Sequence, residues 1–190
     1  MKREIVTEKV IGDYKVRTFI DESPESPREW DNMGTMVCFH GRYNLGDKTD
    51  YRSQDYSGWE EMEKDIIDTE NVHTILPLYL YDHSGISIST SSFSCRWDSG
   101  QVGWIFVSKH KVKKEGIDET KVEECLKGEV KTYDTYLRGE VYGFEVVKVT
   151  KCDLGHEHEE VIDTYWGYYD EDECINEGTY IVRENEKEMV

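Results

Sequence analysis

Two apolar runs on either side of a long polar loop are the feature that most constrains this fold. Residues 78–107 read LYLYDHSGISISTSSFSCRWDSGQVGWIFV, with aromatic and β-branched side chains at both ends. Such runs are typical of β-strands, whereas a hairpin normally joins its strands with only about two to five residues. We therefore expect paired strands and a connecting loop, rich in acid, imidazole, thiol, indole and hydroxyl groups, that forms the functional surface.

Strand patterns outnumber helix patterns along the rest of the chain. Apolar or alternating runs predict strands at residues 4–12, 13–20, 35–40, 72–81, 86–90, 102–108, 141–151 and 161–169. Apolar residues spaced three to four apart predict helices at residues 58–68 and 118–137. This proportion predicts an α+β fold in which a mainly antiparallel sheet is packed by one or two helices.

Several residues predict where these elements begin, end or deform. Ser57 and Glu60 have capping-box spacing at the start of the first helix. Gly128 weakens the middle of the second helix, where a break is possible, and Gly139 suits its C-terminal cap. Pro77 places its strand at an edge or beside a bulge, because proline cannot donate to the ladder.

The length of 190 residues suits one domain. We assign residues 1–180 to a single α+β domain and residues 181–190 to an acidic, mobile C-terminal tail. No apolar run is long enough for a transmembrane helix, and the charged N-terminus differs from a signal peptide, so a cytoplasmic location is expected. Five cysteines without framework spacing are typical of reduced thiols.

The net charge of −18 is concentrated towards the C-terminus, where residues 153–190 contain thirteen acidic and two basic residues. Like charges repel, which disfavours direct binding to DNA or RNA. Two interpretations remain. The acidic surface either aids solubility, or imitates nucleic-acid phosphates and occupies a basic groove on a partner protein.

The Asp-His-Ser-Gly sequence that ends at Gly85 allows an enzymatic interpretation. Ser84 or Cys95 would be the nucleophile, and His83 or His40 the base. Neighbouring residues on a strand point to alternate faces, which separates such groups. The favoured alternative is a tight turn in which Asp82 and Ser84 bond backbone amides and Gly85 has a positive φ.

The Trp-Asp-Ser-Gly sequence at residues 97–100 has a similar ambiguity. Asp98 and Ser99 suit the start of a turn, and Gly100 or Gly103 suits a close backbone approach. The indole of Trp97 either anchors the loop on the core or presents a flat face to a ligand, and anchoring is the favoured interpretation.

Two further groups of residues have ligand-binding chemistry. Arg42, beside Tyr43, either clamps a carboxylate or phosphate of a ligand or forms an ion pair within the chain, which is the default in so acidic a protein. Cys152, His156 and His158 are weak zinc candidates, because one turn supplies at most three of the four usual ligands. We therefore assign no metal site.

Three runs of the sequence resemble an uncharacterised family of proteins encoded by bacteriophages and prophages. They read ESPREWDNMGTMVCFHGRYNLGD, ILPLYLYDHSGISISTSSFSCRWDSGQVGWIFVSK and KTYDTYLRGEVYGF, and the family pattern FSCxWDSGxxGxI is met at residues 93–105. The resemblance covers residues 23–169, whereas the Glu-rich C-terminal segment and the HEH triplet depart from it. It implies an accessory phage protein in a bacterial cytoplasm and supplies no catalytic activity.

Small accessory phage proteins often block host defence machinery. The resemblance, the acidic charge and the aromatic content together predict a non-enzymatic protein that binds and inhibits a host protein, a defence nuclease of the CRISPR or restriction type. We assign no catalytic residue and no cofactor. The candidate ligand- or partner-binding residues are His40, Arg42, Tyr43, Asp47, Tyr81, Asp82, His83, Ser84, Cys95, Trp97, Asp98 and Ser99.

Two alternatives stay open. In the first alternative, the chain is a small-molecule or nucleotide-binding protein, or an enzyme, that uses the loops containing His40, Arg42, Asp82, His83, Trp97 and Asp98. A role in virion structure or assembly is the other, and it predicts self-association. The sequence does not set the oligomeric state.

Overall fold

A computed structural model describes residues 3–188. In chain order the strands are β1 (Ile5–Ile11), β2 (Tyr14–Ile20), β3 (Thr35–Cys38), β4 (Val72–Asp82), β5 (Ile86–Ser89), β6 (Ser99–Ser108), β7 (Tyr142–Lys151) and β8 (Glu157–Tyr168). The α-helices of these residues are α1 (Trp59–Glu70), α2 (Lys109–Glu115), α3 (Val122–Leu137) and α4 (Glu171–Glu188). The chain divides into two compact units: unit 1 comes from segments 1–25 and 139–190, and unit 2 is residues 26–138.

Unit 1 is an antiparallel sheet, in the order β1-β2-β7-β8, with α4 packed on one face. Val16 and Phe144 on the sheet are buried against Cys174 and Val182 of α4. Gly178 allows this close packing, because a Cβ added there would lie 2.5 Å from a methyl group of Val16. The apolar positions 174, 178 and 182 share one helical face, which explains why this acidic segment forms a helix.

Unit 2 is an antiparallel sheet in the order β3-β6-β4-β5, with helices against both faces. Met36 and its partner Ile105 belong to the cluster that includes Leu126 of α3. The neighbouring pair, Val37 and Trp104, belongs to the cluster that contains Met62 of α1. Because residues 102–107 of β6 are buried on both faces, this part of the strand is continuously apolar instead of alternating.

A buried ion-pair network fixes the loop that leads into β3. Arg28, whose side chain is 5% exposed, donates to both oxygens of Asp47 at 2.8 and 2.7 Å and to Glu129 of α3 at 3.0 Å. Asp47 also accepts from the Met36 N–H at 2.8 Å, and Glu129 from the Met33 N–H at 2.6 Å. The network therefore connects α3 to the backbone just before β3 and within it.

The predicted fold class is confirmed, since both units are antiparallel sheets packed by helices. The organisation differs in detail, with two sheets instead of one and four α-helices instead of one or two among residues 3–188. The assignment of residues 1–180 to one domain and 181–190 to a mobile tail stays a prediction. Within residues 181–188 the chain continues α4, and Val182 is buried.

The local signals had mixed outcomes. Gly139 has a positive φ of 70° directly after the cap of α3, as expected, and Pro77 lies beside a register shift of β4. The predicted capping box is wrong: Gly58 is the N-cap of α1, and Ser57 donates its N–H and hydroxyl to Glu61 instead of pairing with Glu60. No break occurs at residue 128, where α3 is continuous.

Candidate functional site

The sheet of unit 2 brings three separate sequence motifs to one edge. Strands β3 and β4 both run antiparallel to β6, so the C-terminal ends of both lie beside the first half of β6. The segment that contains His40 and Arg42 follows β3, and Asp82 ends β4. The segment that contains Trp97 and Asp98 leads into β6, which begins at Ser99. Their side chains line a cleft of about 440 Å³, whose lining residues are Phe39, His40, Gly41, Arg42, Leu80, Asp82, Trp97, Asp98, Ser99, Gly100, Gln101 and Val102.

Asp82 is the centre of one half of this cleft. Its carboxylate forms an ion pair with the guanidinium of Arg42 and accepts from the Tyr43 hydroxyl at 3.3 Å. The ring of His40 lies 3.9 Å from the same carboxylate through Nε2. The ion pair predicted for Arg42 is therefore present, and the predicted bonding of Asp82 to backbone amides within its own turn is wrong.

Hydrogen bonds assign the neutral tautomer of His40. Its Nδ1 accepts from the backbone N–H groups of Arg42 and Tyr43, each at 3.3 Å, so this nitrogen carries no proton. The proton is then on Nε2, which faces Asp82. The ring also stacks on Tyr43, with centroids 5.0 Å apart and planes 15° apart. His40 thereby holds the polypeptide turn that positions Arg42.

Asp98 is the centre of the other half. Its Oδ2 lies 3.4 Å from Nδ1 of His83 and accepts from the thiol of Cys95 at 3.5 Å. A backbone hydrogen bond of 2.8 Å, from the Asp82 N–H to the Asp98 carbonyl, extends the β4–β6 pairing to this point. The two carboxylate-bearing residues are therefore neighbours across adjacent strands.

The indole of Trp97 is 96% exposed on the rim of the cleft. The prediction that Trp97 anchors the loop on the core is therefore wrong. The loop is held by its neighbours instead: the Ser99 hydroxyl donates to the carbonyl of Cys95, and Phe93 packs on Tyr81 with ring centroids 5.7 Å apart. A large aromatic side chain is thus presented to solvent by an ordered loop.

Six of the predicted residues lie outside the cleft lining: Tyr43, Asp47, Tyr81, His83, Ser84 and Cys95. Tyr43, His83 and Cys95 contact its two carboxylates, as described above. Asp47 belongs to the buried network with Arg28 and so has a structural role, because its carboxylate is already paired. Ser84 is exposed in the turn after β4 with a φ of 58°, and the φ of 159° at Gly85 confirms the predicted turn. Tyr81 supports the loops of the site, because its ring packs against the rings of His83 and Phe93.

Sequence reasoning missed Phe39 and Gln101 as lining residues. The signal was available in the strand register. Phe39 continues β3 by one hydrogen bond, from its N–H to the Val102 carbonyl at 2.7 Å. Gln101 lies two residues after Ser99 on β6 and so shares its face.

The order of groups around Asp98 differs from that of a nucleophilic triad. There, a histidine lies between the nucleophile and the acid and accepts the nucleophile's proton. Here the carboxylate lies between Cys95 and His83, so the thiol donates to an acid. Two other thiols are held neutral, because burial raises the pKa of Cys38 and of Cys174 to about 12 each.

The weak zinc candidates lie in the β7–β8 hairpin of unit 1. Cys152 is half-buried and donates its backbone N–H to the His156 carbonyl at 3.0 Å, and His158 pairs with Thr150. Within residues 3–188, no group of three His, Cys, Asp or Glu side chains has an arrangement able to hold a metal ion. All five cysteines are unpaired thiols.

No helix among the described residues has the length and apolarity needed to cross a membrane. Comparison with protein-family models, with curated proteins and with solved structures finds no match for this chain.

Proposed function

We propose that this chain is a binding protein that uses the cleft of unit 2 to hold a basic partner protein. The observation that carries the proposal is Trp97, an almost fully exposed indole on the rim of a cleft that contains two carboxylates. Tryptophan is the residue type most enriched at the energetic centres of protein interfaces, where it is buried by the partner. A partner that covers the exposed indole buries a large, flat apolar surface, while the indole N–H stays available for a hydrogen bond.

Charge supports a basic partner. Asp82 and Asp98 face the cleft, and the whole chain has a net charge of −18. Complementary charge accelerates association and disfavours acidic partners. Arg42 is 68% exposed while paired with Asp82, so an incoming cation could compete for that carboxylate.

The partner class that fits these features is a protein whose basic groove normally holds nucleic acid. A bound acidic protein would exclude the nucleic acid and so inhibit the partner. We propose a host defence nuclease as this partner and the bacterial cytoplasm as the compartment. The support for both is the sequence resemblance to phage-encoded accessory proteins together with the acidic charge.

The test is affinity capture from a bacterial lysate with three forms of the full chain: wild type, Trp97→Ala and Leu154→Ala. Leu154 is 83% exposed in unit 1, so it controls for the loss of any exposed apolar side chain. We expect a basic nucleic-acid-binding protein to be captured by wild type and Leu154→Ala. Trp97→Ala should weaken binding of the purified partner at least about tenfold.

The captured partner is then assayed for nucleic-acid binding and cleavage with increasing amounts of this protein. Stoichiometric inhibition by wild type, but not by Trp97→Ala, is the expected result. Equal capture by all three forms would overturn the role of the cleft. Capture of an acidic partner, or a captured nuclease that remains fully active, would overturn the proposed mechanism.

A small-molecule site is the second candidate, favoured by the volume of the cleft. Its 440 Å³ lies within the range of about 300–1,000 Å³ that ligand sites occupy. Native mass spectrometry of the purified protein, with a panel of nucleotides added, tests it. A bound nucleotide that is lost in both His83→Ala and Asp98→Ala would favour this candidate over partner binding.

A further inference from the structure

Phe39 separates the cleft from a second, smaller concavity of unit 2. This aromatic pocket has a volume of about 200 Å³, and its lining residues are Phe39, Ser53, Tyr56, Ser57, Gly58, Trp59 and Met62. The volume is below the range of about 300–1,000 Å³ typical of sites for small molecules. It suits a single side chain.

The walls of the aromatic pocket are rings that remain partly exposed. Phe39 and Trp59 stack with centroids 6.4 Å apart and planes 21° apart, and both are half-buried, as is Tyr56. Met62 closes the floor and is fully buried with Val37 and Trp104 of the sheet. The rings are thus fixed by the core, and their free faces are available to a ligand.

The charge around this pocket is negative. Residues 48–70 contain eight acidic and three basic residues, whereas the rest of unit 2 contains twelve acidic and eleven basic residues. Almost the whole net charge of unit 2 therefore lies in the segment that supplies every lining residue of the aromatic pocket except Phe39. An aromatic wall in a negative field is the environment that attracts a cation, because the ring face itself carries negative charge.

The hydroxyl of Tyr56 lies among several of these acidic groups. It donates to Asp65 at 2.7 Å, and this hydrogen bond, burial and the charges of Asp65, Asp55 and Glu61 raise the pKa of Tyr56 to about 12. Anionic groups on α1 and on the preceding loop therefore face the pocket wall. The positive end of the α1 dipole opposes them, but Glu60 and Glu61 lie in the first turn and offset it.

A neighbouring acidic concavity continues the surface beyond Tyr56. Its volume is about 430 Å³, and Asp50, Asp55 and Glu70 are among its lining residues. Tyr56 lines both concavities, as Phe39 lines both the aromatic pocket and the cleft. The aromatic pocket is therefore flanked by the cleft, with which it shares Phe39, and by the acidic concavity, with which it shares Tyr56.

We propose that the aromatic pocket binds the cationic side chain of an arginine or lysine on the partner protein. This inference rests on the proposed function, which supplies the basic partner, and it adds a specificity site. Arginine should bind more tightly than lysine, because its planar guanidinium stacks on aromatic faces and is more weakly hydrated. A basic residue of the partner would enter this pocket while its neighbours contact the cleft on one side and the acidic concavity on the other.

The first experiment needs no partner. The ¹⁵N-labelled full chain is titrated with N-acetyl-arginine methylamide and with its lysine, citrulline and norleucine analogues, and the indole N–H signal of Trp59 is followed by NMR. Citrulline has nearly the shape of arginine without its charge. We expect arginine to shift the Trp59 signal with an affinity about fivefold higher than citrulline.

Matched variants test the charge. Asp65→Asn and Asp68→Asn remove the same charge from exposed positions of the same helix, but only Asp65 contacts a pocket residue. We expect Asp65→Asn to weaken arginine binding about threefold, and Asp68→Asn to have less than half of that effect in free energy. Trp59→Leu, which keeps an apolar side chain at that position, should abolish binding, with circular dichroism to check the fold.

The outcomes separate this inference from the proposed function. Equal binding of arginine and citrulline, or tighter binding of norleucine, would show an apolar site and overturn the inference. If the captured partner depends on Trp97 but is unaffected by Trp59→Leu and Asp65→Asn, the inference fails and the proposed function stands. If the arginine probe binds at Trp59 but no partner depends on Trp97, the proposed function fails alone.

Discussion

The more acidic of the two units is not the one that contains the candidate site. Unit 1 has 21 acidic and 9 basic residues, a net charge of −12, and unit 2 has 20 and 14, a net charge of −6. In unit 1, acidic side chains form ion pairs with basic side chains of other strands: Glu159 of β8 accepts from Lys15 and from Arg17 of β2 at 2.7 Å. Unit 2 instead concentrates its excess charge beside concave, aromatic surfaces. Net charge alone therefore does not locate a binding site.

The ion pairs of the two units also differ in burial. The Arg28 network of unit 2 is in the core, whereas Arg17 of unit 1 pairs with Glu8 and Glu159 on a solvent-facing sheet surface. A buried pair that loses one partner leaves an uncompensated charge in a nonpolar environment, and an exposed pair does not. The largest predicted effect on stability therefore comes from removing the cation of the buried network.

Arg28→Met should destabilise unit 2 by about 3–5 kcal/mol, because Asp47 and Glu129 are left without their counterion. Arg17→Met should cost about 1 kcal/mol or less. Urea denaturation, combined with hydrogen exchange to resolve each unit, measures both changes. Equal costs for the two variants would contradict the assignment of Arg28 as the structural cation of unit 2.

The next comparison concerns two glycines on central strands. A Cβ at Gly103 would lie 1.9 Å from the backbone oxygen of Val37, whereas at Gly143 it would lie 2.1 Å from the indole of Trp166. Backbone cannot move without breaking the β3–β6 pairing, but Trp166 is 37% exposed and can shift. We expect Gly103→Ala to cost about 3 kcal/mol and Gly143→Ala about 1 kcal/mol.

Thermal denaturation of both variants measures these costs, with Gly100→Ala as the control, because no atom lies within 4 Å of a Cβ at that position. A Gly103→Ala protein as stable as Gly100→Ala would mean that β3 does not pack as closely on β6 as described.

The smallest predicted effect is a pH dependence in unit 1. Hydrogen bonds from Arg17 and Lys15 lower the pKa of Glu159 to about 2 from its usual 4.5. A carboxylate with a lowered folded-state pKa stabilises the fold above its unfolded pKa, and this contribution is lost as the pH falls from about 4.5 to about 2. At neutral pH it is about 1 kcal/mol or less, since the side chain is 37% exposed.

Glu159→Gln should therefore be less stable than wild type at pH 7 and equal to it near pH 2. Glu160→Gln, which neutralises the next residue of the same strand, is the control. A stability difference that persists unchanged at low pH would contradict the role of the Glu159 charge.

Sequence patterns predicted the strands well, because strand periodicity is local. Gly100 or Gly103 was predicted as a point of close backbone approach, and the structure shows one at Gly103 and open space at Gly100. The C-terminal segment was misleading, since its high charge hides an apolar face at positions 174, 178 and 182 that only the sheet of unit 1 explains. The exposure of Trp97 was not predicted either. Apolar character predicts that a side chain is buried, but it does not show whether the chain's own core or a partner protein buries it.

The candidate site was predicted in part for the same reason. His40, Arg42, Asp82, Trp97, Asp98 and Ser99 were all singled out by residue type, and the strand order then brings them together. Asp47 lies outside the cleft, because an acid that pairs with Arg28 has the same sequence signal as an acid in a cleft. The aromatic pocket was missed since Tyr56 and Trp59 look like ordinary core residues of a helix start.

The most direct test of the account is an NMR titration of the ¹⁵N-labelled full chain with an arginine-rich peptide. We predict saturable shifts of the Trp97 and Trp59 indoles, in the less acidic unit, that are strongest at low salt. Shifts confined to β8 and α4, where the acids of unit 1 are concentrated, would show that net charge alone recruits the peptide. That result would contradict the assignment of the unit 2 cleft as the binding surface.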